Sequence, residues 1–321
     1  MDSTNLPFYP NVVKIELTQG CNRSCYFCGI NGIEDNKYFM TVDTAKHIRD
    51  ILKTANKNFR IVFSLHGEPL LNPNAVEIVK MFKEVTKHPI QLFSNGDIFK
   101  KKPELFPKVL TVVDDLVLDV YDTPLPEDMK KIRADLKAKY PEVLVVIMDK
   151  GVPFYKPKEE KRKRILLCPS IALQDKLDVP SRNLNTHCGA GGDPSKVLIK
   201  TNKRCEIPFR QLAFRWNGKV AVCCNDYRGE LPIVDAMKCS DFKEVWWCDA
   251  FKAIRRILYA SDRTLFPCNK CNYKGNRLGL LPDPMGRMTL KKPTEEDYAK
   301  WREQVSKGPL AILRKRSWEN E

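Results

Sequence analysis

The 321-residue chain has no apolar run near the roughly 20 residues that a bilayer-spanning helix needs. Its opening, Met1-Asp2-Ser3-Thr4-Asn5, lacks both a basic stretch and an apolar core, so no secretory signal is read there. A cytoplasmic protein with no membrane attachment is expected. Acidic residues are in deficit: 40 Asp and Glu against 55 Lys and Arg leave a net charge of +15. That balance suits nucleic acid, anionic small molecules or acidic peptides. A Lys-rich solvated surface explains it equally well. Neither an RNA-binding fold signature nor a leader-peptide-binding domain is evident.

Cysteine, by contrast, is abundant, with 12 residues. In a cytoplasmic protein of this size that number points to metal ligation over disulfides. Three of them, Cys21, Cys25 and Cys28, stand at C-x3-C-x2-C spacing directly after an apolar β-like run, 12–17. Three thiolates that close can wrap one metal centre, and iron–sulfur clusters are held by such runs. With only three local thiolates one metal position stays open, as in catalytic rather than structural sites. A zinc knuckle would want a fourth ligand nearby, and the first candidate, His47, lies far along the next helix.

The spacing, with aromatic Phe27 before the third cysteine, resembles the radical S-adenosylmethionine (SAM) superfamily. The resemblance implies a [4Fe–4S] cluster on Cys21, Cys25 and Cys28, with SAM chelating the fourth iron. It also implies reductive cleavage of SAM to methionine and a 5′-deoxyadenosyl radical, fed by an electron donor such as flavodoxin or ferredoxin. Two further segments fit it. Leu65-His66-Gly67-Glu68-Pro69 resembles the family's Gly-Gly-Glu-Pro loop, with His66 in place of the first glycine; Gly67 and Glu68 become SAM-binding candidates, Glu68 by a charge-assisted hydrogen bond to the ammonium. Ser94-Asn95-Gly96 resembles the Thr-Asn-Gly often found near SAM, which makes Ser94 and Asn95 candidates. Asp119 is placed to reach the ribose hydroxyls. The plainer readings are ordinary β-α turns for both segments and a structural role for His66.

Alternating elements frame these segments. Strands are expected at 12–17, 59–65, 90–93, 116–120 and 143–148, with a weaker one at 165–167. Helices are expected at 41–55 (N-capped by Thr41), after an Asn74 cap, around 103–109 and at 126–140. Such β-α repeats predict a parallel sheet, doubly wound or barrel-like, with ligand loops at the carboxyl ends of strands. The resemblance favours a partial (β/α)6 TIM-like barrel over residues 1–165, then a bridging segment 166–195.

The second half repeats the cysteine theme. Cys205 is followed by twelve residues, Gly218, four residues and Cys223. The interior reads as a hairpin turning at Asn217-Gly218. A helical stretch with Trp246 and Trp247 follows, then Cys268-Asn269-Lys270-Cys271. This order resembles the twitch domain, a shortened SPASM domain, which implies an auxiliary [4Fe–4S] cluster on Cys205, Cys223, Cys268 and Cys271 within 196–275. No cysteine follows Cys271, against a second auxiliary site. A four-cysteine zinc ribbon has similar spacing, and a zinc-bearing nucleic-acid-binding protein is the alternative function. Two clusters would lower the net charge to about +12. Cys224 is expected to point away from its neighbour Cys223. Cys168, Cys239 and Cys248 read as small buried hydrophobes. Cys188, in a glycine-rich stretch, is a hydrogen donor lining the substrate cavity, a cluster ligand or part of a structural loop. The substrate is expected to be a peptide or a nucleotide or nucleic acid. The tail, 276–321, reads as a cover or a docked helix.

Overall fold

The computed structural model describes residues 9–25, 28–30, 37–55, 57–121, 126–148, 162–169, 188, 190–191, 202–273 and 292–307. Phe27, most of the bridging segment and Trp318 lie outside the described residues.

Runs of β-branched and aromatic residues build one sheet. Its parallel strands from the first half are β1 (Val12–Ile15), β4 (Arg60–Phe63), β5 (Ile90–Ser94), β6 (Asp115–Val120), β7 (Leu144–Ile147) and β8 (Arg164–Pro169). A two-residue ladder, β2 (Thr18–Gln19) with β3 (Tyr38–Phe39), flanks the cysteine loop. The second half adds β9 (Gln211–Phe214), β10 (Lys219–Ala221) and β11 (Pro232–Asp235). The order is β11-β10-β9-β1-β4-β5-β6-β8-β7. Helices α1 (Val42–Thr54), α2 (Ala75–Met81), α3 (Asp97–Lys101), α4 (Leu105–Val112) and α5 (Pro126–Lys139) supply the crossovers. The architecture is the expected α/β fold on a mostly parallel sheet, extended by C-terminal strands and helices.

Two features depart from simple succession. The sixth barrel strand, β8, lies between β6 and β7. Its register places Arg164 opposite Asp115, and the two form a buried bidentate pair with both bonds at 2.8 Å. Gln91 donates to the same carboxylate at 2.9 Å. A buried charge must be paired, so this cluster fixes β8 beside β6. The hairpin, moreover, is no separate sheet: β9 runs parallel to β1, pairing Val12 with Gln211 and Ile15 with Phe214. This is why all four β9 residues are buried and the alternation expected of a half-exposed hairpin is lost.

Local chemistry sets the helix starts. Thr41 caps α1, its hydroxyl accepting from Thr44 N at 3.1 Å. Asn74 precedes α2 but makes no side-chain cap; Asn72 accepts from Asn74 N at 2.9 Å and takes that turn-forming role. The helix expected around 103–109 is α4, and α3 before it was not anticipated. Ala45, Ile48, Ile51 and Leu52 of α1 pack with Val13 and Ile15 in the main core. The opposite face of the sheet is lined by a small cluster, Val117, Met148 and Leu166, with Cys168 against it.

Helix α6 (Ile207–Arg210) leads into the hairpin, and α7 (Phe242–Trp246), α8 (Asp249–Tyr259) and α9 (Glu295–Ser306) follow it. Helix α9 is the docked form of the tail: Trp301 is buried and donates to Phe266 O at 3.0 Å. Among the described residues no helix is long and apolar enough to cross a membrane.

Candidate active site

The strand ends converge on one cavity of about 350 Å³. Cys21, Cys25 and Cys28 line it from the loop after β1. Gly67 and Glu68 line it after β4, Ser94 and Asn95 at and after β5, and Asp119 near the end of β6. All candidate cofactor residues of the first half except the undescribed Phe27 therefore share one wall.

Backbone approach explains Gly67. Its loop is zipped to the cysteine loop: Gly20 N donates to His66 O at 3.1 Å and Glu68 N to Gly20 O at 3.0 Å. A Cβ on Gly67 would sit 2.3 Å from Gly20 O, so only glycine fits. Glu68 also has structural work. One carboxylate oxygen accepts from Leu70 N at 3.1 Å and the other from Asn95 N at 2.8 Å. Asn95 in turn donates to Cys21 Sγ at 3.6 Å and to Asn22 Oδ1 at 2.9 Å. Ser94 Oγ accepts from Gly96 N at 3.0 Å, shaping the turn. Arg23 holds the other side of the cysteine loop to Asp97, at 2.5 and 2.6 Å.

Burial dominates the electrostatics of these residues. Burial pushes Glu68 up to about 7. Burial, and then the Glu68 charge, push Asp119 up to about 7. Cys25 is raised to about 11 by burial and then by Cys28 and Cys21. Cys21 and Cys28 are also raised, chiefly by burial. Three thiolates and two carboxylates cannot all be ionised in one cavity without a compensating positive centre.

Other residues lining the cavity were not anticipated, among them Lys14, Ser64, Cys224, Asn225 and Tyr227. Lys14 has no carboxylate partner among the described residues, and Ser64 Oγ is buried without a hydrogen-bond partner. Polar Lys14 and Glu16, at period two within an apolar strand, were the available signal for an inward, working face.

His66 is fully buried. Its Nδ1 lies 2.7 Å from Glu16 Oε1, and its Nε2 donates to Cys224 O at 3.1 Å. Burial opposes ionisation of Glu16, but Arg215 and then His66 outweigh it and hold the carboxyl below its usual value. The histidine in the glycine position thus ties the first half of the chain to the second.

A second, much smaller cavity of about 20 Å³ is lined by Cys205, Cys223, Cys268, Cys271 and also Cys188. Cys188 is not among the residues lining the larger cavity; it sits with the auxiliary cysteines, in a left-handed conformation (φ 56°). Cys223 and Cys271, and then burial, hold its thiol well above the ordinary value. Cys188, against burial, draws Cys271 down to about 7, whereas burial pushes Cys205 up to about 12. Arg263 is buried against these thiols, and its Nε has no partner among the described residues. An orphaned guanidinium nitrogen facing a group of thiols suits an anionic cluster. No three His, Cys, Asp or Glu side chains among the described residues are arranged to hold a single metal ion. The thiols instead surround cavities. Cys223 lines this cavity and Cys224 the larger one, the opposite facing expected of neighbours. Cys239 is buried, while Cys168 and Cys248 are half-buried.

Comparison with known proteins agrees with both halves. The family profile of the Radical SAM superfamily matches residues 15–144, and that of SPASM, an iron–sulfur cluster-binding domain, matches 205–272. A probable GTP 3′,8-cyclase from Saccharolobus islandicus (strain L.S.2.15 / Lassen #1) is 35% identical over 92 residues, covering 27% of this chain and 28% of that protein. One from Saccharolobus solfataricus is 32% identical over 89 residues, 27% of this chain and 28% of that protein. The match thus spans little more than a quarter of these relatives. The crystal structure of BtrN in complex with AdoMet and 2-DOIA superposes with a TM-score of 0.59 at 19% identity, covering 83% of this chain and 94% of that one, a likeness of fold.

Proposed function

We propose that the chain is a radical SAM enzyme with an auxiliary iron–sulfur cluster domain, a reading supported by the two family matches, and that the larger cavity generates a radical beside an anionic substrate. The carrying observation is the convergence of three thiols, the buried Glu68 and the half-buried Asp119 on one cavity that is also lined by Lys14, which has no carboxylate partner among the described residues. Cys21, Cys25 and Cys28 would hold a [4Fe–4S] cluster. Cluster and SAM, when bound, supply a 5′-deoxyadenosyl radical that takes hydrogen from substrate, with methionine as co-product.

The remaining work belongs to the chain. Glu68 receives the SAM ammonium at the edge of its internal hydrogen bonds, and Asp119 accepts from the ribose hydroxyls. Asn95 donates to Cys21 and, with Ser94, holds the turn beside Glu68. Gly67 keeps the two loops in contact. Lys14 and Ser64 orient an anionic group of the substrate, a phosphate or carboxylate, within the same cavity. This favours a nucleotide or other anionic small molecule over a peptide, in keeping with similarity to proteins named for a reaction of GTP. Cys205, Cys223, Cys268 and Cys271 hold one auxiliary [4Fe–4S] cluster, compensated by Arg263. We take this half to be the shortened, twitch form, since no cysteine follows Cys271. An external donor of the flavodoxin or ferredoxin kind supplies the electron.

The test is anaerobic reconstitution followed by dithionite and SAM. Wild type should form 5′-deoxyadenosine, and an anion-exchange-retained metabolite fraction should increase its yield. Lys14→Gln should remove that increase while keeping the basal reaction. No 5′-deoxyadenosine from iron-loaded wild type would refute the radical reading; stimulation unchanged in Lys14→Gln would refute the anionic substrate.

A further inference from the structure

The loop that carries Gly67 and Glu68 is strained at its root. Leu65 holds φ at 129°, a region that a bulky side chain enters only when its surroundings compel it. The next residue supplies the restraint. His66 is fully buried, and its carbonyl accepts from Gly20 N at 3.1 Å. Its Nδ1 meets Glu16 Oε1 at 2.7 Å and its Nε2 donates to Cys224 O at 3.1 Å. A carboxylate and a carbonyl only accept, so each ring nitrogen carries a hydrogen. The Tyr227 ring packs on the imidazole at 4.4 Å.

The auxiliary half secures these anchors in turn. Arg215 Nε and Trp216 N reach Glu16 Oε2 at 3.5 and 3.1 Å. Arg215 and the Trp216 indole also donate to Gln19 Oε1 at 2.8 and 2.9 Å, two residues before Cys21. Arg215 fits here because Gly229 has no Cβ; one would fall 2.0 Å from the guanidinium. One hydrogen bond therefore joins His66 to the residue before Cys21, and another joins it to the residue after Cys223. Cys21 lines the large cavity and Cys223 the small one.

We propose that His66 is a positioning residue that couples the two centres: with the auxiliary site filled it holds the strained Leu65–Glu68 loop in place, and SAM binds more tightly at Glu68. The inference rests on the reading above, in which the auxiliary thiols hold a cluster and Glu68 receives SAM. Ligation orders the segments that supply the ligands, here Cys223 and its neighbour Cys224. With that site empty, Cys224 O gains freedom and a buried ring N–H loses its acceptor. Leu65 then relaxes and carries Glu68 with it. SAM must order the loop itself and binds more weakly.

Equilibrium dialysis of radiolabelled SAM against reconstituted full-length protein tests this. Cys268→Ala/Cys271→Ala empties the auxiliary site from outside the Cys223-Cys224 segment. It should lower iron from about eight to about four atoms per chain and weaken SAM binding by about five- to tenfold. His66→Asn keeps a donor near Glu16 but does not reach Cys224 O. It should weaken SAM binding to a similar degree, and emptying the auxiliary site in that background should add nothing. His66→Gln, whose amide reaches the Nε2 position, should keep most of the sensitivity to auxiliary iron. A merely structural histidine gives losses that add and no difference between Asn and Gln. Losses additive within about twofold, Asn and Gln behaving alike, or a SAM affinity indifferent to auxiliary iron overturn the proposal. Should the His66 variants fail to fold, hydrogen exchange decides alone. Faster exchange in residues 65–70 of Cys268→Ala/Cys271→Ala supports the coupling, and unchanged exchange overturns it. The premises fail separately: iron that stays near eight in Cys268→Ala/Cys271→Ala refutes the auxiliary-cluster reading, and no SAM binding by iron-loaded wild type refutes the SAM reading.

Discussion

The two cysteine cavities differ in how they are assembled. The larger takes its three thiols from one short loop, mixes them with carboxylates, and leaves about 350 Å³ open. The smaller gathers five thiols from distant segments, surrounds them with Ile207, Pro208, Val222 and Leu258, and leaves about 20 Å³. One site has too few thiols and spare space, as a site that exchanges a ligand requires. The other has a thiol to spare and no room, as a structural or electron-holding centre requires. Charge follows the same division. Glu68 and Asp119 await a cation in the first, while Arg263 already faces the thiols in the second.

The sharpest way to break this contrast is to remove one thiol from each. Cys25→Ala should reduce 5′-deoxyadenosine formation under dithionite to background and lower iron from about eight to about four atoms per chain. Cys223→Ala should also lose about four irons but retain SAM cleavage. If Cys223→Ala abolished cleavage as completely, the two sites would not be functionally distinct. Within the small cavity, Cys188→Ala should keep the auxiliary iron that Cys271→Ala loses; iron lost in Cys188→Ala would make it a ligand. Gly67→Ala probes the seam beside the open site. Its clash with Gly20 O should cost roughly 1–3 kcal/mol and weaken SAM binding, read by thermal melting and equilibrium dialysis.

The smallest effect concerns pH. Glu68 and Asp119 titrate near 7 in the fold, above their ordinary values, so the cluster-free protein binds protons that the unfolded chain releases. Stability from these groups is then greatest below the usual carboxylate range and is lost as pH rises to about 7. A bound cation reverses the sign: SAM should bind more tightly as pH rises through about 7. Glu68→Gln should flatten both trends in melting temperature and in SAM affinity. A slope unchanged in Glu68→Gln would remove that carboxylate from the cation-binding wall.

The strand–helix succession was legible because each strand is a compact β-branched run and each motif follows one. Strand order was not, since β8 is seated by Arg164 meeting Asp115, a contact 49 residues apart in the chain. The cysteine groups were legible from spacing alone, and the opposite facing of Cys223 and Cys224 from strand geometry. Cys188 stayed ambiguous between two cavities because sequence carries no measure of distance between loops. Lys14 and Glu16 were read within an apolar run, although their alternation marks an inward face. Tyr227 left no trace, because a phenol four residues beyond a cysteine means nothing until the loop is folded against the cavity. His66 looked like an imperfect motif. In the fold it holds Glu16 and Cys224 O together.

The place of β9 beside β1 also bears on how the protein is made. Trp216 N bonds Glu16 across 200 residues of chain, and β1 keeps one bare edge until β9 has been synthesised. At about 5–20 residues per second on the ribosome, that edge is open for roughly 10–40 s. An unpaired strand edge is a template for foreign strands. Slow translation through residues 60–210 should therefore raise the share of nascent chains lost to aggregation. Slowing after residue 221, once the hairpin has been made, should matter far less.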